Sequence, residues 1–127
     1  YDKILNFDGE TGPYVQYTVA RIKSVLRKGG EIGKYTVGEG NDDEYQLIGV
    51  LSTFPEVVKA AAEKLEPFFI TRYAIEVASA FNKFYFDCKI IGEDENVRNF
   101  RLTLCECTLT VITSALRLLG IQVPERM

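Results

Sequence analysis

An aromatic and basic row lies on the first part of the chain that is expected to be helical. Tyr14, Tyr17, Arg21, Ser24 and Lys28 follow one another at intervals of three or four residues, which places them on one helix face. Tyrosine rings can stack on unpaired bases and Arg or Lys can meet phosphates, so the row can form a surface for single-stranded nucleic acid. The alternative is a row of half-buried tyrosines beside a solvated charged face, and the pattern by itself favours that packing interpretation.

Charge is distributed unevenly along the chain. The 127 residues carry a net charge of −3, which gives no overall attraction to nucleic acid. Residues 13–37, in contrast, contain five basic residues and one acidic residue. Any binding to nucleic acid must therefore come from a local patch.

The composition excludes most catalytic and metal-binding chemistry. The chain has no histidine, which removes histidine acid–base catalysis, Ser-His-Asp and Cys-His arrangements, and His-ligated metal sites. Its three cysteines are Cys88, Cys105 and Cys107, an odd number without a Cys-x-x-Cys motif. We therefore expect reduced thiols in a helical core, no catalytic residue and no metal site.

Helical periodicity accounts for nearly all of the chain, whose length suits one domain. The segment from Asn96 to Gly120 is apolar around most of its circumference, which predicts a central helix capped by Asn96 and ending just before Gly120. Asp42 and Asp43 are expected to cap the second helix. The predicted fold is an all-α bundle of about five helices, at about 13–28, 43–52, 53–65, 67–87 and 96–120.

Four stretches of the sequence, in order and in a single register, carry a family pattern. They are GETGPYVQY at 9–17 with Arg21 four residues later, FPEVV at 54–58, FNKFY at 81–85, and LLGI with PERM between 118 and 127. Together they resemble class I arginyl-tRNA synthetases. The resemblance covers nearly the whole chain, but only the C-terminal part of such an enzyme, the helical anticodon-binding domain often called the DALR domain.

The resemblance implies an all-α fold that grips the anticodon loop of an arginine tRNA. In that family the positions that match Tyr17, Arg21, Tyr85 and Met127 lie against the anticodon. Every arginine codon has G in the middle, so the middle C of the anticodon is the natural base to read directly. Further RNA contacts are expected from Tyr14, Gln16, Lys28, Asn82 and Arg126.

The resemblance also implies how the chain is divided and what it binds. Residues 1–12 are expected to be a remnant of the connection to the catalytic core, and 13–127 the anticodon-binding domain. The parent enzyme attaches arginine to its tRNA with ATP and magnesium, but the HIGH and KMSK signatures of that chemistry are absent. We therefore expect this chain alone to lack ligase activity and cofactors. Its expected partners are the arginine tRNA anticodon loop and the parent catalytic domain, in the cytoplasm and without a membrane.

One alternative interpretation stays open at this stage. Val19 and Phe68 stand where the family usually has histidine, and we expect a packing change at Val19. The acidic total and the aromatic side chains also permit a helical protein–protein interaction domain without RNA binding. The anticodon interpretation requires Tyr17, Arg21, Tyr85 and Met127 to converge on one exposed hollow.

Overall fold

The computed structural model describes residues 12–38 and 40–120, and the described part of the chain forms five α-helices without a strand. This architecture confirms the predicted all-α bundle. Within the same ranges, no helix combines the length and apolar character that crossing a membrane requires. The helices are α1 (Gly12–Gly29), α2 (Asp42–Ser52), α3 (Phe54–Lys64), α4 (Phe68–Asp87) and α5 (Glu95–Leu118).

The central element of the bundle is α4 rather than α5. Helix α4 packs extensively against each of the other four helices, whereas α5 packs in this way against α1, α2 and α4. The expectation that residues 96–120 form the central helix is therefore wrong. Ala74 and Ala78 of α4 are fully buried and allow neighbours to approach closely, while Leu118, on an apolar row of α5, is exposed.

The core is built mainly from apolar rows on α1, α4 and α5, and Leu47 of α2 and Ala61 of α3 add to it. Val19 of α1 and Phe81 and Phe84 of α4 are completely buried. Burial of Val19 agrees with its place in the apolar row of α1, where an imidazole would need a hydrogen-bond partner. Each fully buried side chain of this size contributes about 1.5–3 kcal/mol through removal of apolar surface from water.

The end of α1 confirms the stop expected at its paired glycines. Gly30 adopts a left-handed backbone with φ of 70°, which ends the helix. A Cβ on Gly29 would lie 2.6 Å from a methyl group of Leu102, so the absence of a side chain lets α1 and α5 approach. Arg98 of α5 donates to the Gly29 carbonyl oxygen. The basic end of α1 is thereby fixed against α5.

The starts of α2 and α5 differ from those predicted. Asn41 caps α2, because its side chain accepts from the Glu44 N–H at 2.9 Å while Glu44 accepts from the Asn41 N–H at 2.8 Å. The prediction that Asp42 and Asp43 cap this helix is therefore wrong. Asn41 has the extended backbone that a capping residue needs, and the Glu three residues later completes a capping box.

Asn96 likewise does not cap α5, since that role belongs to Asp94, whose carboxylate accepts from the Val97 N–H. Asn96 instead pairs with the backbone of Thr36, donating to its carbonyl at 3.0 Å and accepting from its N–H at 2.6 Å. Local spacing predicted that the Asn96 side chain caps α5, but this side chain forms a tertiary contact with Thr36 instead. Gly120, with φ of 77°, follows the end of α5 as predicted.

A buried ion pair joins α2, α5 and the segment after α4. The Arg101 Nε lies 2.8 Å from a Glu44 carboxylate oxygen, and its side chain and that of Glu44 are only 13% and 5% exposed. Arg101 also donates to the Lys89 carbonyl at 2.5 Å and lies 3.5 Å from Glu93. These contacts hold the connector between α4 and α5 against the bundle.

We predict that Arg101→Met lowers the free energy of unfolding by about 3–5 kcal/mol, because the buried carboxyl group of Glu44 would lose its ion-pair partner. Urea denaturation followed by circular dichroism measures this loss. The matched control is Arg117→Met on the exposed last turn of α5, with an expected change within about 1 kcal/mol. A loss below about 1 kcal/mol for Arg101→Met would show that the pair adds little stability.

The cysteines lie in two different environments. Cys88 and Cys105 are buried, whereas Cys107 is exposed, so the expectation of thiols in the core is correct for two residues and wrong for the third. Cys107 faces away because it lies two residues from Cys105 on the same helix. Burial raises the pKa of Cys105 to about 12 and also raises the pKa of Cys88 above its ordinary value.

We predict that one thiol per chain, Cys107, reacts rapidly with a maleimide at pH 7.5 while Cys88 and Cys105 react only on unfolding. Mass spectrometry of labelled peptides gives the count. Cys107→Ser is expected to abolish the rapid phase, and rapid native-state labelling of Cys105 would contradict its burial.

Candidate nucleic-acid interface

The guanidinium group of Arg21 lies among three aromatic rings. Its Cζ atom is 5.2 Å from the ring centre of Tyr17, 4.8 Å from that of Tyr85 and 5.0 Å from that of Phe86. Tyr17 and Arg21 are one turn apart on α1, and the other two rings come from the last turn of α4. These four side chains, called the ring cluster below, hold the cation by attraction to the ring faces.

Asn82 ties the two helices together beneath the ring cluster. Arg21 donates from Nη1 to the Asn82 amide oxygen at 2.7 Å. The Asn82 amide nitrogen donates to the Tyr14 hydroxyl and to the Thr18 hydroxyl, at 3.0 Å each. Because a guanidinium can only donate, this pairing sets the amide orientation. Asn82 therefore positions Arg21 and Tyr14.

Two of the three rings present open surface to solvent. Tyr17 is 52% exposed and Phe86 is 70% exposed, which is a large exposed fraction for a phenylalanine. Tyr85 is half-buried, stacks on Phe81 at 6.2 Å and meets Phe86 edge-on at 5.4 Å. Tyr85 thus packs against the core, and Tyr17 and Phe86 supply the exposed ring surface.

The ring cluster forms one end of a hollow of about 800 Å³ between α1 and the segment that follows α4. Among the residues of the structure's described ranges, the lining includes four basic side chains and no acidic one. Its apolar wall includes Val25, Ile90 and Ile91, and the buried, protonated thiol of Cys88 adds no negative charge. The basic lining residues are Arg21, Arg27, Lys28 and Lys89.

The structure brings together most of the predicted site residues that it describes. Tyr17, Arg21, Tyr85 and Lys28 line the hollow. Tyr14 and Asn82 join it through their hydrogen bonds to each other and to Arg21. Gln16 is half-buried on α1 and is not part of the lining. Met127 and Arg126 lie outside the described residues, so their predicted contacts stay predictions.

Phe86, Arg27 and Lys89 were missed by the sequence reasoning. Phe86 directly follows FNKFY and lies off the buried face of α4 that carries Phe81 and Phe84, so a helical projection signals an exposed ring. Lys89 lies in a connector, where no periodicity indicates direction. Only the packing of that connector shows that Lys89 faces α1.

No group of three or more potential metal ligands occurs in the part of the chain that the structure describes. The described lining residues of the hollow supply aromatic rings, cations and hydrogen-bond donors. Such a set binds anions and planar aromatic groups.

Comparison with known proteins identifies the family. Residues 15–127 match the model of the DALR anticodon binding domain. The chain is 44% identical over 134 residues to the arginine–tRNA ligase of Clostridium kluyveri and 48% identical over 130 residues to that of Clostridium botulinum. Each match covers the whole of this chain, but only 24% of the first relative and 23% of the second. The chain therefore spans about a quarter of the length of these curated relatives.

Solved structures give the same result for the fold. The arginyl-tRNA synthetase of Thermus thermophilus superposes with a TM-score of 0.89 at 35% identity, covering 100% of this chain and 23% of the other. A putative arginyl-tRNA synthetase from Campylobacter jejuni superposes with a TM-score of 0.82 at 28% identity, and the match covers 90% of this chain and 26% of the other. From its helical bundle, the family match over residues 15–127 and these relatives, the chain belongs to the DALR anticodon-binding domain family, in the form found in arginine–tRNA ligases.

Proposed function

We propose that this chain recognises the anticodon loop of an arginine tRNA, as the anticodon-binding part of an arginine–tRNA ligase. The observation that carries the proposal is the ring cluster, in which Arg21 lies among Tyr17, Tyr85 and Phe86 at the edge of a basic hollow. Membership of a family described by anticodon binding supports the same function.

The ring cluster suits unpaired bases in particular. Bases in a loop can leave the stack and lie on aromatic side chains, and Tyr17 and Phe86 offer open rings for this contact. Arg21 keeps several N–H groups beyond the one that binds Asn82, so it can donate to a base edge or a phosphate. The contacts to the rings and Asn82 fix the guanidinium before RNA arrives, which lowers the entropy cost of binding.

Recognition of the middle anticodon base follows from the donor character of the site. A cytosine presents acceptors at O2 and N3, which a guanidinium can meet with parallel N–H donors. Uracil and purines present a different order of donors and acceptors at that edge. We infer that the middle C of arginine anticodons binds beside Arg21.

The ligase activity itself belongs to a longer protein in this proposal. Arginine attachment with ATP and magnesium takes place in a catalytic part, to which residues 1–12 connect the domain made of residues 13–127. Met127 and Arg126 complete the anticodon site in the same proposal. Arginine tRNA and the catalytic part are then the partners of this chain.

The charge of the hollow favours RNA over a protein partner. A second hollow of about 780 Å³, between α2, α3 and α4, provides a comparison within the same molecule. Its lining mixes Glu56 and Glu76 with Arg72 and Lys83, as on an ordinary protein surface. In the hollow beside Arg21, by contrast, every charged side chain among the described lining residues is basic, and exposed rings lie next to these side chains.

The decisive test is a fluorescence titration of the 127-residue chain with an arginine tRNA anticodon stem-loop, beside a stem-loop in which the middle C is replaced by U. We expect the replacement to weaken binding by about 1–3 kcal/mol, because donors and acceptors no longer match. Equal affinity for both stem-loops would contradict recognition of the middle base.

We predict that Tyr17→Ala weakens binding of the arginine stem-loop by about 1–3 kcal/mol, through loss of one base–ring stack. Tyr45→Ala is the matched control, because Tyr45 on α2 is 54% exposed against 52% for Tyr17 and does not line the hollow. The same titration measures both variants. An equal, small effect of the two substitutions would argue against stacking on Tyr17.

A further inference from the structure

We propose that the hollow has a second half that binds phosphates of the RNA strand leaving the ring cluster. This half, called the cationic half below, is formed by Lys28 and Lys89 with Arg27 beside them. The inference rests on the proposed function and assigns a place to the backbone of the bound loop. The ring cluster holds bases, and the cationic half holds the sugar–phosphate chain that follows.

The two halves lie along one face of α1. Arg21 and Lys28 are seven residues apart, which is two turns or about 11 Å along the helix. Lys89 comes from the opposite wall, on the connector after α4. The volume of about 800 Å³ is at the upper end of the range for ligand pockets, roughly 300–1,000 Å³, so the hollow has room for more than one nucleotide.

The cations of this half are not neutralised by neighbouring carboxylates in the described structure. Lys83 pairs with Asp43 and Asp87, and Arg101 pairs with Glu44 and Glu93. In contrast, no acidic group of residues 12–38 or 40–120 forms an ion pair with Arg27, Lys28 or Lys89. Like charges that converge, with no ion-pair partner in the part of the chain that the structure describes, favour a bound anion.

Favourable interaction of cations with the C-terminal end of α1 explains part of this arrangement but not all of it. Arg27 and Lys28 lie in the last turn of α1, where any basic residue is stabilised by the helix dipole. Lys89 directly follows Cys88, the C-cap of α4, so the dipole of that helix stabilises it in the same way. The two dipoles account for each cation singly, but they do not require cations of both elements to line the same hollow. Convergence of charges from two separate elements indicates a site.

The backbone that carries Lys89 is held in place. Arg101 donates to the Lys89 carbonyl at 2.5 Å, which anchors the connector to α5. Gly92 has φ of 92°, and a Cβ there would lie 3.1 Å from Lys89 Cε and 3.4 Å from Nζ. The lysine therefore folds over a glycine that leaves room for it. Beside it, Ile91 is 44% exposed and offers an apolar surface for a sugar or a base.

The test is the salt dependence of binding, measured with the whole 127-residue chain. Affinity for the arginine anticodon stem-loop and for its middle-U counterpart is determined between 50 and 300 mM salt for Lys28→Gln, Lys89→Gln and the double variant. Each lost phosphate contact should reduce the slope of log affinity against log salt by about 0.7. The reduction should be the same for both RNAs, leaving their affinity ratio unchanged, because phosphates carry no sequence information.

Two control variants separate charge from other effects. Lys59→Gln on α3 removes an exposed lysine outside the hollow and should leave the slope unchanged. Lys89→Arg keeps the positive charge, so the slope of log affinity against log salt should equal that of the unsubstituted chain. Thermal unfolding followed by circular dichroism checks that each variant is folded. The three lysines are exposed, so we expect little loss of stability from these substitutions.

The possible results distinguish the inference from the proposed function. Slopes of Lys28→Gln and Lys89→Gln equal to that of Lys59→Gln would overturn the phosphate site, while discrimination between the two stem-loops would still support the proposed function. If Lys28→Gln and Lys89→Gln lost affinity only for the stem-loop with the middle C, the phosphate site would also be overturned, because the lysines would then recognise a base. Absence of RNA binding by the unsubstituted chain would overturn both.

Discussion

The contact between α1 and the last turn of α4 is the constraint on which the candidate site depends. Phe81 and Phe84 are fully buried, so the end of α4 cannot turn or slide without exposing them. That packing places Tyr85 and Phe86 beside Arg21. Asn82 then links the same two helices by hydrogen bonds, so core packing and polar contacts fix one geometry.

The hollow is completed by a separate set of interactions. The ion pair of Arg101 with Glu44 is buried, and the same guanidinium holds the Lys89 carbonyl. Since Glu44 is also part of the capping box of α2, the start of one helix, the middle of another and the connector after α4 are joined at one point. This arrangement supports the wall opposite α1 and holds the backbone of Lys89 in place.

Stability and binding rest on different side chains of the same elements. On α4, Phe81 and Phe84 face the core while Phe86 is largely exposed, and on α1 Val19 is buried while Tyr17 is half exposed. The exposed rings, and the cations that have no ion-pair partner among the described residues, stabilise the folded chain little, and in the proposed function RNA covers them. The net charge of −3 does not oppose the proposed binding of RNA, because the local field at the hollow comes from basic lining residues.

The sequence by itself determined the all-α fold, the approximate bounds of its helices and the aromatic–basic row, because helical periodicity is a local property of the chain. The resemblance to a family linked Tyr17 and Arg21 to Tyr85, which spacing alone leaves unconnected. Only the tertiary structure decided that α4 is central, that Asn41 and Asp94 cap their helices, and that Phe86 and Lys89 join the hollow. These features depend on contacts between residues distant in the chain, such as Asn96 with Thr36, and no local pattern encodes which distant partner a side chain meets.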